Sequence, residues 1–78
     1  DGFGDQQESM QRMYNDCRRT MEANIHRSGG FDVRELIDGI EQEHRFPREA
    51  ALAELPHLKA KPDIEYNPHE NRLESLQF

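Results

Sequence analysis

Residues 64–78, IEYNPHENRLESLQF, constrain the fold more than any other part of this chain. They read as a short strand, a five-residue polar interruption and a second strand. Ile64 and Tyr66 flank Glu65, so the first strand has one apolar face. The interruption, NPHEN, is made of turn formers. A lone two-stranded hairpin is marginal in water, so this one must lean its apolar face on whatever the preceding residues build. Leu73 is apolar on the return strand, but Leu76 and Phe78 have the opposite parity. A bulge or a strand end is therefore expected near Ser75.

What precedes the hairpin reads as three helices. Residues 1–4, DGFG, are expected as a flexible lead to a single domain over residues 5–78. Asp5 and Glu8 have capping-box spacing, with Ser9 as an alternative cap. Met10, Met13, Tyr14, Cys17 and Met21 then fall on one helical stripe that ends at Ile25, and SGG at residues 28–30 stops the helix. The second helix has the strongest local signals. Asp32 is a natural N-cap, Glu35 completes a capping box, and Phe31 with Leu36 forms a hydrophobic staple. Val33, Leu36, Ile37 and Ile40 make its buried stripe, while Gly39 either weakens it or admits the close approach of another backbone. Pro47 suits the first position of a third helix, and Pro56 removes a backbone donor, so that helix is expected to end at about Leu55. Ala51, Leu52 and Leu55 form its inward face, with Leu58 following. Leu36, Ile40, Leu52, Leu55 and Ile64 are thus expected to share one core.

The charge balance narrows the function. Of 78 residues, 33% are apolar and 33% are charged, and the net charge is −6. Such a length supports one modest core. The acid excess excludes a uniformly basic nucleic-acid coat and argues against membranes as partners, while leaving room for one basic face. Cys17 is the single cysteine, so neither an internal disulfide nor a multi-cysteine zinc site is possible. A reducing, intracellular compartment is expected, the nucleus in a eukaryote or the cytoplasm in a prokaryote. No apolar run approaches the length of a membrane span.

The order helix, extended piece at Phe31, helix, turn, helix, hairpin resembles the winged-helix variant of the helix-turn-helix over about residues 9–78. HRSGGFDVRELIDGI, together with AALAELPHLKAKPDIEYNPHENRL, looks most similar to winged-helix domains of the basal transcription machinery. The nearest type is the beta subunit of general transcription factor IIE. Its matching stretches here are Glu35-Leu36-Ile37 and Lys61-Pro62-Asp63-Ile64-Glu65-Tyr66. FPREAALAEL resembles the C-terminal winged helix of minichromosome-maintenance helicases as well. The resemblance implies an α+β winged helix: three helices plus a C-terminal two-stranded β-hairpin wing. It also implies contact with double-stranded DNA, with helix three in the major groove and the wing tip on the backbone.

The residues fit that implication in part. Arg45, Arg48, His57, Lys59 and Lys61 lie on or beside helix three, opposed there by Glu49 and Glu54, and His69 and Arg72 lie at the wing. Helix two carries Asp32, Glu35, Asp38, Glu41 and Glu43 against Arg34 alone. Segregated charge of this kind lets one face meet phosphate; the competing account is a solvated surface. Arg18, Arg19, His26 and Arg27 are expected to favour the macrodipole of helix one rather than to bind a ligand.

Other chemistry finds less support. Glu41-x-x-His44 and Glu54-x-x-His57 match the Glu-x-x-His spacing of di-iron carboxylate bundles, but that site needs glutamates from two further helices and a longer chain. They are expected to be surface coincidences, and no metal or other cofactor is implied. Cys17 lies on the apolar stripe, where a thiol is an inert small hydrophobe. SGG lacks the preceding strand and downstream lysine of a phosphate-cradling loop. No small-molecule substrate is implied. The expected function is a non-enzymatic module of a transcription or replication protein that binds double-stranded DNA. The alternative is an acidic module that docks on a protein subunit through helix two or the hairpin edge. A shared face for Arg45, Arg48, Lys59, Lys61 and Arg72 would favour DNA; scattered positions would favour the protein partner.

Overall fold

The computed structural model describes residues 2–76, with side chains from residue 9 onward. Helix α1 spans Gly2–Ser28, strand β1 Gly30–Asp32, helix α2 Val33–Glu43, helix α3 Arg48–Lys59, strand β2 Ile64–Asn67 and strand β3 Arg72–Ser75. The fold class is α+β, with three helices and an antiparallel sheet in the order β1-β3-β2.

Helix α1 begins at Gly2, ahead of the start expected at Asp5 or Ser9, so residues 2–4 belong to it; Asp1 lies outside the described residues. At about 1.5 Å per residue its 27 residues run roughly 40 Å, which accounts for most of the molecule's 45 Å length. It ends as SGG predicts. Gly29 has φ +89, a conformation costly for residues with a Cβ, and its N–H bonds the Ile25 carbonyl at 2.9 Å.

The sheet has one strand more than expected. The extended piece at Phe31 is β1, paired Gly30 with Glu74, Phe31 with Leu73 and Asp32 with Arg72. Three residues between a helix stop and an N-cap are too few to show strand periodicity, and their partner lies far along the chain. On the other side of β3, Tyr66 pairs with Leu73 and Asn67 with Arg72. Alternation sends Phe31, Leu73, Ile64 and Tyr66 toward the helices, so the hairpin does lean on them. Strand β3 ends at Ser75, where the parity changes, and Leu76 is exposed; Phe78 lies outside the described residues. In the turn, the Asn67 side chain accepts from the N–H groups of His69 at 3.0 Å and Glu70 at 3.4 Å, and Asn71 takes the left-handed φ of +52 that asparagine tolerates.

The core joins Cys17, Met21 and Ile25 of α1 to Val33, Leu36, Ile37 and Ile40 of α2, Ala50, Ala51 and Leu58 of α3, and Ile64 and Leu73 of the sheet. The stripe of α1 is fully buried only from Cys17 onward; Met10 is 53% exposed. Helix α2 starts at the expected N-cap, with the Asp32 carboxylate accepting from the Arg34 N–H at 2.8 Å.

Helix α3 departs from expectation. Pro47 is its N-cap rather than its first residue, and the helix continues through Pro56 to Lys59. Leu52, expected in the core, is 50% exposed, and Leu55 is only partly buried. The buried face is Ala50, Ala51, Glu54 and Leu58. Two alanines allow α3 to approach its neighbours closely, which sets the rotation of the helix and turns Leu52 outward. Pro56 is exposed on the same side, four residues on. Pro56 has no N–H to offer the Leu52 carbonyl four residues back, so one bond of the helical ladder is missing there.

Candidate interaction surface

The structure divides the predicted cations among separate partners. Arg48 opens α3 and reaches back to α2, with Nη1 3.0 Å from Asp38 Oδ1 and 3.6 Å from Glu41 Oε1. The hydrogen bond to Asp38, and the charges of both carboxylates, raise its pKa above the ordinary arginine value. Lys61 Nζ lies 3.2 Å from Glu22 Oε1 on α1. Arg72 Nε lies 3.3 Å from Glu74 Oε1. The Arg72 guanidinium is drawn over Gly30, where an added Cβ would come 3.0 Å from Nη2, so it does not reach out at the NPHEN tip. His57 Nε2 is 3.7 Å from Glu54 Oε2. Lys59 Nζ stands 4.0 Å from the centroid of the Tyr66 ring, within cation–π range. Arg45 forms the link between α2 and α3 at φ +60, next to a Phe46 N–H that bonds the Ile40 carbonyl. His69 lies exposed in the hairpin turn.

Carboxylates also occupy the outward face of the hairpin. Glu65 and Glu74 stand directly opposite each other across β2 and β3. With Tyr66, Asn67 and Pro68 they line a hollow of about 280 Å³. Like charges in directly opposed positions repel, and a hairpin face that met phosphate would need cations there instead.

Two clusters escaped the sequence reading. Glu54 is 93% removed from solvent, at 7% exposure, held between Arg18 Nη1 at 3.7 Å and His57. Burial first, and the Glu54 charge second, push the Cys17 thiol up to about 11, which keeps it protonated at neutral pH. The second cluster is His26, whose Nδ1 lies 2.6 Å from Ser75 Oγ and whose Nε2 lies 3.0 Å from Asp63 Oδ2. The last turn of α1 is thereby tied to the start of β2 and the end of β3. Serine, histidine and aspartate in a row suggest acyl transfer, which also needs donors for a developing oxyanion. Here the Ser75 N–H bonds the Gly29 carbonyl and the Leu76 N–H bonds the Asp63 carbonyl, each at 2.9 Å. Both amides beside the hydroxyl are committed, and the two contacts of His26 join α1 to the hairpin. No local motif marks this arrangement, because its members are 49 residues apart along the chain at the serine–histidine contact.

No protein-family model matches this chain, and no curated protein or solved structure matches it either. Among the described residues, no three His, Cys, Asp or Glu side chains converge as a metal ion would require, and no helix is long and apolar enough to cross a membrane.

Proposed function

We propose that this chain is a winged-helix domain acting as an acidic, non-enzymatic protein-interaction module in a larger assembly, of the transcription or replication kind that its resemblance implies. The element order supports the winged-helix reading. A short strand between the first two helices pairs with the last strand, and the hairpin follows the third helix.

The observation that carries the choice of partner is the pairing of charge. Arg48, Lys61 and Arg72 each hold a carboxylate, on α2, α1 and β3 respectively. Glu35 and Glu43 on α2 take part in no salt bridge among the described residues. DNA affinity rests on cations that displace counterions from phosphate. Drawing Arg48 to a phosphate would bring Asp38 and Glu41 toward the same phosphate, and the repulsion offsets the contact. The acidic surface that remains suits a basic protein partner.

Fluorescence anisotropy with labelled duplex DNA across a salt series tests this reading. It expects no saturable binding at low salt. Saturable binding that weakens steeply with salt would return the function to DNA contact through helix three and the wing.

A further inference from the structure

Resting on the interaction-module reading, we infer that the groove between the end of α1 and α2 is the docking site, and that its occupant is a protein segment with an apolar residue between two cations. The groove is lined by Asn24 and Arg27 of α1, Phe31 of β1, and Glu35, Leu36, Gly39 and Glu43 of α2. Its volume is about 110 Å³. That is roughly three or four waters at about 30 Å³ each. It is well below the ~300 Å³ at which small-molecule pockets begin. One apolar side chain fits, and the groove is smaller than a typical small-molecule ligand pocket.

Two residues of this groove cost α2 stability. Gly39 stands in mid-helix, where glycine is poor, and nothing lies within 4 Å of where its Cβ would be. The missing side chain serves no packing within the chain and leaves a notch open to the groove. Glu43 lies at the C-terminal end of α2, where the macrodipole disfavours a carboxylate and no basic residue compensates. Departures from a local rule are expected at functional or strained sites. Both of these face one concavity.

Charge and spacing select the occupant. Glu35, Gly39 and Glu43 recur every fourth residue, so the two carboxylates lie about 12 Å apart along the helix with the notch between them. The one cation of the lining, Arg27, is hydrogen-bonded to Asn24. In an extended chain, residues four apart are about 13 Å apart, and the residue midway shares their face. Cations at the ends then meet Glu35 and Glu43, while the central side chain covers Phe31 and Leu36 at Gly39.

The test is binding of a fluorescent, end-blocked peptide containing Lys-Ser-Leu-Ser-Lys, compared with its Lys-Ser-Ser-Ser-Lys counterpart. Wild-type protein is expected to bind the leucine peptide more tightly. Gly39→Met fills the notch with a better helix former, so the thermal midpoint holds or rises while peptide affinity is lost. Glu35→Gln with Glu43→Gln should weaken binding about fivefold and flatten its salt dependence, the scale of two rim ion pairs. Equal binding of both peptides, or leucine-peptide binding unchanged in a stable Gly39→Met protein, overturns the groove and leaves the broader reading in place. Absence of peptide binding at low salt also overturns the groove, whereas DNA binding in the separate titration overturns the broader reading.

Discussion

Leu52 and Leu58 are both leucines of α3, and only Leu58 is in the core. Leu58→Ala should cost about 2–5 kcal/mol, as large-to-small core changes do. Leu52→Ala should stay within about 0.5 kcal/mol, the range of exposed positions. Denaturant midpoints of the two variants check the rotation of the helix; a large loss at Leu52 would restore the phase that large residues suggest. Sequence pattern places Ala51 inward correctly but weights Leu52 and Leu55 over Ala50, and the two alanines together set the rotation because they permit close approach. The burial of Glu54 was hidden for the same reason, since a carboxylate is read as outward unless its partners are known. Cys17, by contrast, was legible from its stripe. Its pKa is raised from an ordinary value near 9 to about 11. Folding therefore favours the protonated thiol. The contribution is complete below about pH 9 and is lost as pH rises through 11, at most about 2–3 kcal/mol for two units. Native protein should resist thiol reagents at pH 8, and Cys17→Ala should lose less stability than wild type between pH 8 and pH 11. Rapid native labelling would contradict the burial.

At the scale of elements, legibility follows how local the determinants are. Asp32, Phe31 and Leu36 lie within one helical turn of the start of α2, and that start stands as read. The third strand and the His26 tie depend on residues distant in sequence, so no local pattern could reveal them. His26→Ala removes two polar contacts between α1 and the hairpin and should cost about 1–3 kcal/mol. Amide exchange should rise first in β2 and β3; uniform loss of protection would mean that the tie is not local to the hairpin. Glu65 and Glu74 face each other across the β2–β3 hairpin. Glu65→Lys turns repulsion into an opposite-charge pair and should stabilise by about 0.2–1 kcal/mol, less at high salt. An unchanged midpoint at low salt would show that the two carboxylates do not interact.

For the whole molecule, the total charge was legible and its pairing was not. The sequence places Arg45, Arg48, His57, Lys59, Lys61, His69 and Arg72 in and around helix three and the wing, which suggests a basic face. The fold brings Glu22, Asp38, Glu41 and Glu74 to three of them from α1, α2 and β3. Carboxylates of neighbouring elements thus answer Arg48 and Lys61, and Glu74 answers Arg72 within its own strand, while Glu35 and Glu43 of α2 and Glu65 of the hairpin stay outside these ion pairs. The central claim is that this surface receives a basic protein segment and not DNA. Amide shift mapping on isotope-labelled protein, titrated at low salt in parallel with a short duplex and with the leucine-centred basic peptide, tests it most directly. The account predicts peptide-induced shifts at Asn24, Phe31, Glu35, Gly39 and Glu43, and no progressive shifts with DNA. Progressive DNA-induced shifts over residues 45–61 and 67–72 would contradict it.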